Sequence, residues 1–123
     1  MRTKINNISI GLPCYNEEKN INNVINKCVL FIRKNNIKNW ELLIIDNKSN
    51  DKTVKIVNEI IKKHKSGKIR LIKNQKNILY SGSVNKIIKQ AKYDLIVIMD
   101  SDDQYLPSDI SKLYNHMKKN KLE

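Results

Sequence analysis

An unbroken apolar run at residues 95–99 (LIVIM) is followed at once by three carboxylates within four residues, Asp100, Asp102 and Asp103. A continuous run rich in Ile and Val is typical of a strand buried on both faces of a parallel sheet. Such a strand needs helices packed against each face, because both faces carry apolar side chains. The run therefore favours an α/β fold, with acidic residues at the carboxyl end of a central strand.

These acidic residues predict a site for a divalent cation. In extended backbone, side chains two residues apart point to the same side, so Asp100 and Asp102 can direct two carboxylates at one point and Gln104 can add an amide oxygen. Hard oxygen ligands suit Mg²⁺ or Mn²⁺ and leave coordination positions for water or a phosphate. The alternative is a polar turn in which Asp103 or Ser108 caps the next helix. The position of the cluster directly after a buried strand favours the metal.

Apolar runs alternate with amphipathic stripes along the whole chain. Strands are predicted at residues 8–12, 40–45, 69–72 and 95–99. Helices are predicted to begin at Asn16, at Ser49 or Asn50, near Ser83, and at Pro107 or Ser108, the last with the apolar stripe Ile110, Leu113, Tyr114 and Met117. The β-α-β-α-β-α-β-α pattern predicts one Rossmann-like domain over residues 1–123, a parallel sheet of order 3-2-1-4 with helices on both faces.

The charge of the chain is compatible with anionic partners. Lys and Arg total 24 against 12 Asp and Glu, a formal charge of +12. Such a balance attracts nucleotide phosphates or an acidic membrane surface. Nucleic acid is not predicted as a partner, because the few aromatic residues are not interleaved with basic ones to form a base-stacking surface. The absence of a long apolar stretch and of a secretory leader predicts a cytoplasmic location.

Polar residues follow three of the four predicted strands, at the edge of the sheet where α/β folds bind ligands. Tyr15-Asn16-Glu17 follows the first, Asp46-Asn47 the second and Asp100-x-Asp102 the fourth. A nucleoside diphosphate fits there, with its base and ribose near Asp46 and Asn47 and its diphosphate on the cation. Neither a G-x-G-x-x-G nor a P-loop pattern is present, which disfavours dinucleotide-binding and P-loop folds.

Four ordered motifs together resemble the family 2 glycosyltransferases of the GT-A fold. The D-x-D-x-Q-x-x-P form is most similar to the polyprenyl-phosphate sugar transferases of the dolichyl-phosphate mannose synthase type. The resemblance implies that the nucleotide contacts Pro13, Tyr15, Asn16, Glu17, Asp46, Asn47, Asn85 and Asp100, and that Asp100, Asp102 and Gln104 hold the metal. The motifs are Pro13-x-Tyr15-Asn16-Glu17-Glu18, Asp46-x-x-Ser49-x-Asp51-x-Thr53, Asn85, and Asp100-x-Asp102-x-Gln104-x-x-Pro107.

The sequence departs from the family pattern at two places that bear on the site. The family usually has an acidic residue and a glycine where this chain has Asn47 and Lys48, which opens the question of which base is bound. Leu79 and Ser81 stand where the family tends to have glycine.

The resemblance implies inverting transfer of a sugar from a UDP- or GDP-sugar to a polyprenyl phosphate or a growing glycan. This activity belongs to cell-envelope or glycan biosynthesis, at the inner face of a membrane with which the chain would associate peripherally. The acceptor half, which usually supplies the general base, would lie beyond residue 123, so no catalytic base is assigned. Two alternatives remain open: a fragment that binds a nucleotide sugar without turnover, and a sugar nucleotidyltransferase-like domain. The latter needs a Gly-rich basic loop where residues 13–18 are acidic.

Overall fold

The computed structural model describes residues 5–100 in full and residues 115–117 as backbone. Their sheet has the order β3-β2-β1-β4-β5, and the first four strands are parallel to one another. The predicted order 3-2-1-4 is therefore confirmed. The elements are β1 (Asn7–Cys14), α1 (Ile21–Lys34), β2 (Asn39–Asp46), α2 (Thr53–His64), β3 (Ile69–Lys73), α3 (Leu79–Gln90), β4 (Leu95–Ile98) and β5 (Asn115–Met117).

The last strand corrects one prediction. Met117 was assigned to the apolar stripe of a final helix, but Asn115–Met117 forms β5 and pairs antiparallel with β4. The free edge of β4 offers unpaired backbone groups, and pairing with them outweighs the helical spacing of the local sequence. The rest of that predicted helix lies outside the described residues.

Two apolar cores cover the two faces of the sheet. On one face, α1 and α2 pack through side chains such as Ile25, Cys28 and Val57. On the other face, Ile87 and Ala91 of α3 pack against β2 and β4. The prediction of helices on both faces is confirmed, and β1 and β2 are buried from their second residue onward. No helix within residues 5–100 is both long and apolar enough to cross a bilayer.

The helices begin at other residues than the sequence predicts. The first begins at Ile21 instead of Asn16, after a turn in which the Glu17 carbonyl accepts hydrogen bonds from the N–H groups of Asn20 (3.0 Å) and Ile21 (2.8 Å). Asn16 itself has a left-handed backbone, with φ of 52°. The second helix begins at Thr53, and the third begins at Leu79, earlier than the predicted Ser83.

Candidate nucleotide-binding site

A cavity of about 320 Å³ opens at the carboxyl ends of β1, β2 and β4. The Met99 N–H donates a backbone hydrogen bond to the Gly11 carbonyl (2.9 Å), which extends the pairing of β4 with β1. Asp100 therefore lies beside the end of β1. Five lining residues coincide with sequence-predicted site residues and three do not. The predicted ones are Pro13, Tyr15, Glu17, Asn47 and Asp100, and the others are Cys14, Tyr80 and Ser83.

Asp46 does not line this cavity. It is 2% exposed, and its carboxylate accepts hydrogen bonds from the backbone N–H of Ser49 (3.0 Å) and from the Ser49 hydroxyl. The thiol of Cys14 lies 3.9 Å from the same carboxylate. Asp46 therefore fixes the loop after β2, and its contact with a nucleotide base or ribose stays a prediction.

Hydrogen bonds join the loop after β1 to the loop after β2. The Asn16 N–H donates to the Ser49 hydroxyl (2.8 Å), and the Asn16 side-chain oxygen accepts from the Asn50 N–H (2.7 Å). The Glu17 N–H donates to the hydroxyl of Thr53 (2.9 Å). The two sequence motifs of these loops are therefore partners of each other, and Asn16 acts in this link without lining the cavity.

Asp51 extends the same link. Desolvation alone would raise its pKa, but hydrogen bonds from the Thr53 hydroxyl and N–H and from the Glu18 N–H hold the pKa of the Asp51 carboxyl below its ordinary value. The carboxylate accordingly stays charged while it anchors the start of α2. In the same loop contact, the Glu18 carboxylate accepts a hydrogen bond from the Lys52 N–H (2.9 Å).

Asn47 is at once a cavity residue and the anchor of the segment that precedes α3. Its side-chain oxygen accepts hydrogen bonds from the Asn74 amide (3.0 Å) and from the Ile78 N–H (2.8 Å), and its amide nitrogen donates to Asn77 (3.0 Å). An amide oxygen has two lone pairs, and both are engaged here. The side-chain oxygen of Asn47 is thus used within the fold, which limits its ability to accept a hydrogen bond from the N–H of a base.

We expect Asn47→Asp to lower the free energy of unfolding by about 2 kcal/mol, because the new carboxylate oxygen would face the Asn77 oxygen instead of donating to it. Amide hydrogen exchange at Ile78 should become faster. The matched control is Asn39→Asp, which alters an amide pair with Asn7 (2.8 Å) that is exposed to water. We expect the control to change stability by less than about 0.5 kcal/mol. Equal losses in the two variants would contradict this role of Asn47.

Cys14 lines the cavity but is not a nucleophile. Its side chain is 4% exposed, and burial raises the pKa of the thiol well above its ordinary value, helped by the nearby charges of Asp46, Glu17 and Asp51. The thiol therefore stays protonated at neutral pH, and a thiolate is the reactive form of cysteine.

The predicted metal ligands are only partly described. Asp100 lies on the cavity wall, whereas Asp102 and Gln104 lie outside the described residues. Within residues 5–100, no group of three His, Cys, Asp or Glu side chains could hold a metal ion. Asn85, the remaining predicted nucleotide contact, is exposed on α3 and does not line the cavity.

Residues 9–123 match the family described as Glycosyl transferase family 2. The chain belongs to this family. An uncharacterized glycosyltransferase of Haemophilus influenzae is 34% identical over 115 residues, covering 94% of this chain and 44% of that protein. A dolichyl-phosphate beta-glucosyltransferase of Dictyostelium discoideum is 30% identical over 104 residues, covering 80% of this chain and 32% of that protein. The family resemblance read from the motifs is confirmed.

Solved structures agree on the fold. The mannosyltransferase of Pyrobaculum calidifontis, solved in complex with GDP-Man and Mn²⁺, matches 81% of this chain and 28% of its own with a TM-score of 0.69 at 20% identity. This chain thus shares the fold of that mannosyltransferase. The chain spans less than half the length of the first curated relatives that it matches.

Proposed function

We propose that the chain binds a nucleoside-diphosphate sugar in the cavity beside β1 and β4, as the donor-binding part of an inverting glycosyltransferase. The observation that carries this proposal is the meeting of Tyr15 and Glu17, from the loop after β1, with Asp100, from the end of β4, around one cavity. Membership of Glycosyl transferase family 2 and the GDP-Man in the Pyrobaculum neighbour support it.

Each wall of the cavity has a part in the proposal. Tyr15 is 45% exposed and offers its ring to a base or ribose, and Pro13 lines the wall beside it. Aromatic faces are suitable platforms for stacking a base. Asn47 also lines the cavity and anchors the segment before α3. These contacts would bind the nucleotide and leave its diphosphate directed toward Asp100.

The Asp100 side chain is chemically suited to a divalent cation. Its carboxylate lies on the cavity wall and is a hard oxygen donor of the kind that Mg²⁺ and Mn²⁺ prefer. We propose that Asp100, Asp102 and Gln104 hold this ion, and the Mn²⁺ in the Pyrobaculum neighbour supports the choice of a divalent metal. When bound, the ion neutralises negative charge on the departing diphosphate.

A polyprenyl phosphate is the acceptor that we propose. The Dictyostelium relative carries dolichyl phosphate in its name. A phosphate monoester has a second pKa of about 6 and is largely ionised at neutral pH, so it can attack without a protein base. Such an acceptor resides in a bilayer, and the formal charge of +12 favours an anionic membrane surface. The proposal therefore includes peripheral association with the cytoplasmic face of a membrane.

Calorimetric titration of UDP and of GDP, with and without Mn²⁺, tests the donor site. We expect Asp100→Asn to weaken the Mn²⁺-dependent binding at least about tenfold, because the lost carboxylate charge corresponds to about 1.5–3 kcal/mol. The matched control is Asp94→Asn, which removes an exposed carboxylate at the other end of β4 and should leave the affinity unchanged. Equal binding by all three proteins would contradict a metal-assisted donor site at Asp100.

A further inference from the structure

Tyr80 lies in the first turn of α3 and lines the cavity, although the sequence motifs do not single it out. Its side chain is 56% exposed. The phenol O–H donates a hydrogen bond to Oδ1 of Asp100 (3.3 Å). This contact joins the helix on one face of the sheet to the carboxyl end of β4, where the proposed cation binds.

The position of Tyr80 is fixed by the segment before it. The Leu79 N–H donates to the side-chain oxygen of Asn77 (2.8 Å), and the Ile78 N–H donates to Asn47 (2.8 Å). Leu79 has a left-handed φ of 66°, so the chain turns sharply into the helix at this point. The phenol is therefore presented to Asp100 by an ordered turn that is itself bound to the end of β2.

We propose that Tyr80 is a positioning residue that orients the Asp100 carboxylate for the cation, an inference that rests on the proposed donor site. The phenol O–H is bonded to Oδ1 of Asp100, and the carboxylate would keep free lone pairs with which to hold the ion. Hydrogen bonds of this kind to a ligating carboxylate fix its rotamer before the metal arrives. Tyr80 thus links the first turn of α3 to the affinity for metal through the Asp100 carboxylate.

The test compares Tyr80→Phe with wild type, because phenylalanine keeps the ring and removes only the hydroxyl. Mn²⁺ affinity is measured at saturating UDP or GDP from the electron paramagnetic resonance signal of free Mn²⁺, and nucleotide affinity is measured separately in EDTA. We expect the Mn²⁺ dissociation constant to rise about five- to tenfold. This is a small effect for the loss of a hydrogen bond to a metal ligand, and we expect it to be small because the Tyr80 hydroxyl is exposed to water. Metal-free nucleotide binding should be unchanged.

Two controls make the result specific. Tyr93→Phe removes a phenol hydroxyl near the amino end of β4 and should leave Mn²⁺ affinity unchanged. In an Asp100→Asn background, Tyr80→Phe should have no further effect, because a residue that acts through Asp100 loses its influence with the carboxylate.

The possible results distinguish a failure of the positioning role of Tyr80 from a failure of the proposed donor site. If wild type binds nucleotide with Mn²⁺ and Tyr80→Phe binds Mn²⁺ equally well, the positioning role is overturned and the donor site stands. If Tyr80→Phe weakens metal-free nucleotide binding as much as Mn²⁺ binding, the hydroxyl contacts the nucleotide and the positioning role is again overturned. If wild type binds neither UDP nor GDP with Mn²⁺, the donor site and this inference fall together.

Discussion

Gly11→Val is expected to lower the free energy of unfolding by about 3 kcal/mol or more, because it inserts bulk where a strand and a helix already touch. A Cβ atom at position 11 would lie 2.5 Å from Cγ2 and 2.8 Å from Cδ1 of Ile87. Real carbon atoms do not approach so closely without displacement. Valine adds two more methyl groups to the same space, so the helix or the strand must move.

The clash cannot be relieved by Ile87 alone. This side chain is fully buried and packs in the core with Leu43, Ile45 and Ile96. A close-packed interior resists the loss of volume at one point, so α3 as a whole must shift. Since α3 carries Tyr80 and Ser83 on the cavity wall, we expect nucleotide affinity to fall together with stability.

Urea denaturation followed by circular dichroism measures the effect, with Asn7→Val as the matched control. Asn7 is exposed at the start of the same strand, and valine there should change stability by no more than about 0.5 kcal/mol. Removing the opposing bulk in Gly11→Val/Ile87→Ala should recover at least about 1 kcal/mol relative to the sum of the two single losses. Additive losses would show that positions 11 and 87 do not press on one another.

The sheet could be predicted from sequence because its strands are buried on both faces. Runs such as residues 40–45 and 95–99 cannot be satisfied by any half-exposed element, and their alternation with helical stripes leaves few topologies. The contact of Gly11 with Ile87 could not be predicted. It depends on where α3 crosses β1, and residues 76 positions apart give no local sign of that crossing.

The helix starts were predicted less well for a physical reason. Asn16, Ser49 and Asp51 are residue types that cap helices, and a cap at the next helix is the local solution for them. Here the Asn16 N–H instead donates a hydrogen bond to the Ser49 hydroxyl, 33 residues away in the sequence. The helices α1 and α2 begin several residues further along the chain, at Ile21 and Thr53. Long-range partners of this kind replace a local preference without changing the residue types.

In the candidate site, too, some residues could be predicted from the strand pattern and others could not. Tyr15, Glu17 and Asp100 reach the cavity because the carboxyl ends of neighbouring parallel strands must meet. Asp46 is still a predicted nucleotide contact, and nothing in the sequence indicated that its carboxylate also binds Ser49. Tyr80 was missed because the third helix was predicted to begin near Ser83, whereas it begins at Leu79.

Glu41→Ala is expected to lower the free energy of unfolding by about 3 kcal/mol, because the buried Ser9 hydroxyl, the Lys92 N–H and the half-exposed Arg70 guanidinium all lose the same acceptor. Glu41 lies in β2 and is 4% exposed. Its carboxylate accepts hydrogen bonds from the Ser9 hydroxyl (2.7 Å), from Arg70 (2.9 Å) and from the Lys92 N–H. One side chain thus ties β1, β3 and the turn before β4 to β2 at the amino end of the sheet.

The pH dependence of stability distinguishes this network from simple loss of packing. Burial alone would raise the pKa of Glu41, but the hydrogen bonds from Lys92, Ser9 and Arg70 hold it below the ordinary value of 4.5. A lowered pKa in the folded state means that the stabilisation is complete above pH 4.5 and is lost as the pH falls through the lowered pKa. We therefore expect the gap between wild type and Glu41→Ala to narrow on acidification below that value.

The matched control is Glu59→Ala, which removes an exposed carboxylate from α2. We expect it to change stability by no more than about 0.5 kcal/mol and to follow the acid slope of wild type. A gap between wild type and Glu41→Ala that stayed constant from neutral pH down to acid would mean that packing, not the charged carboxylate, holds these strands.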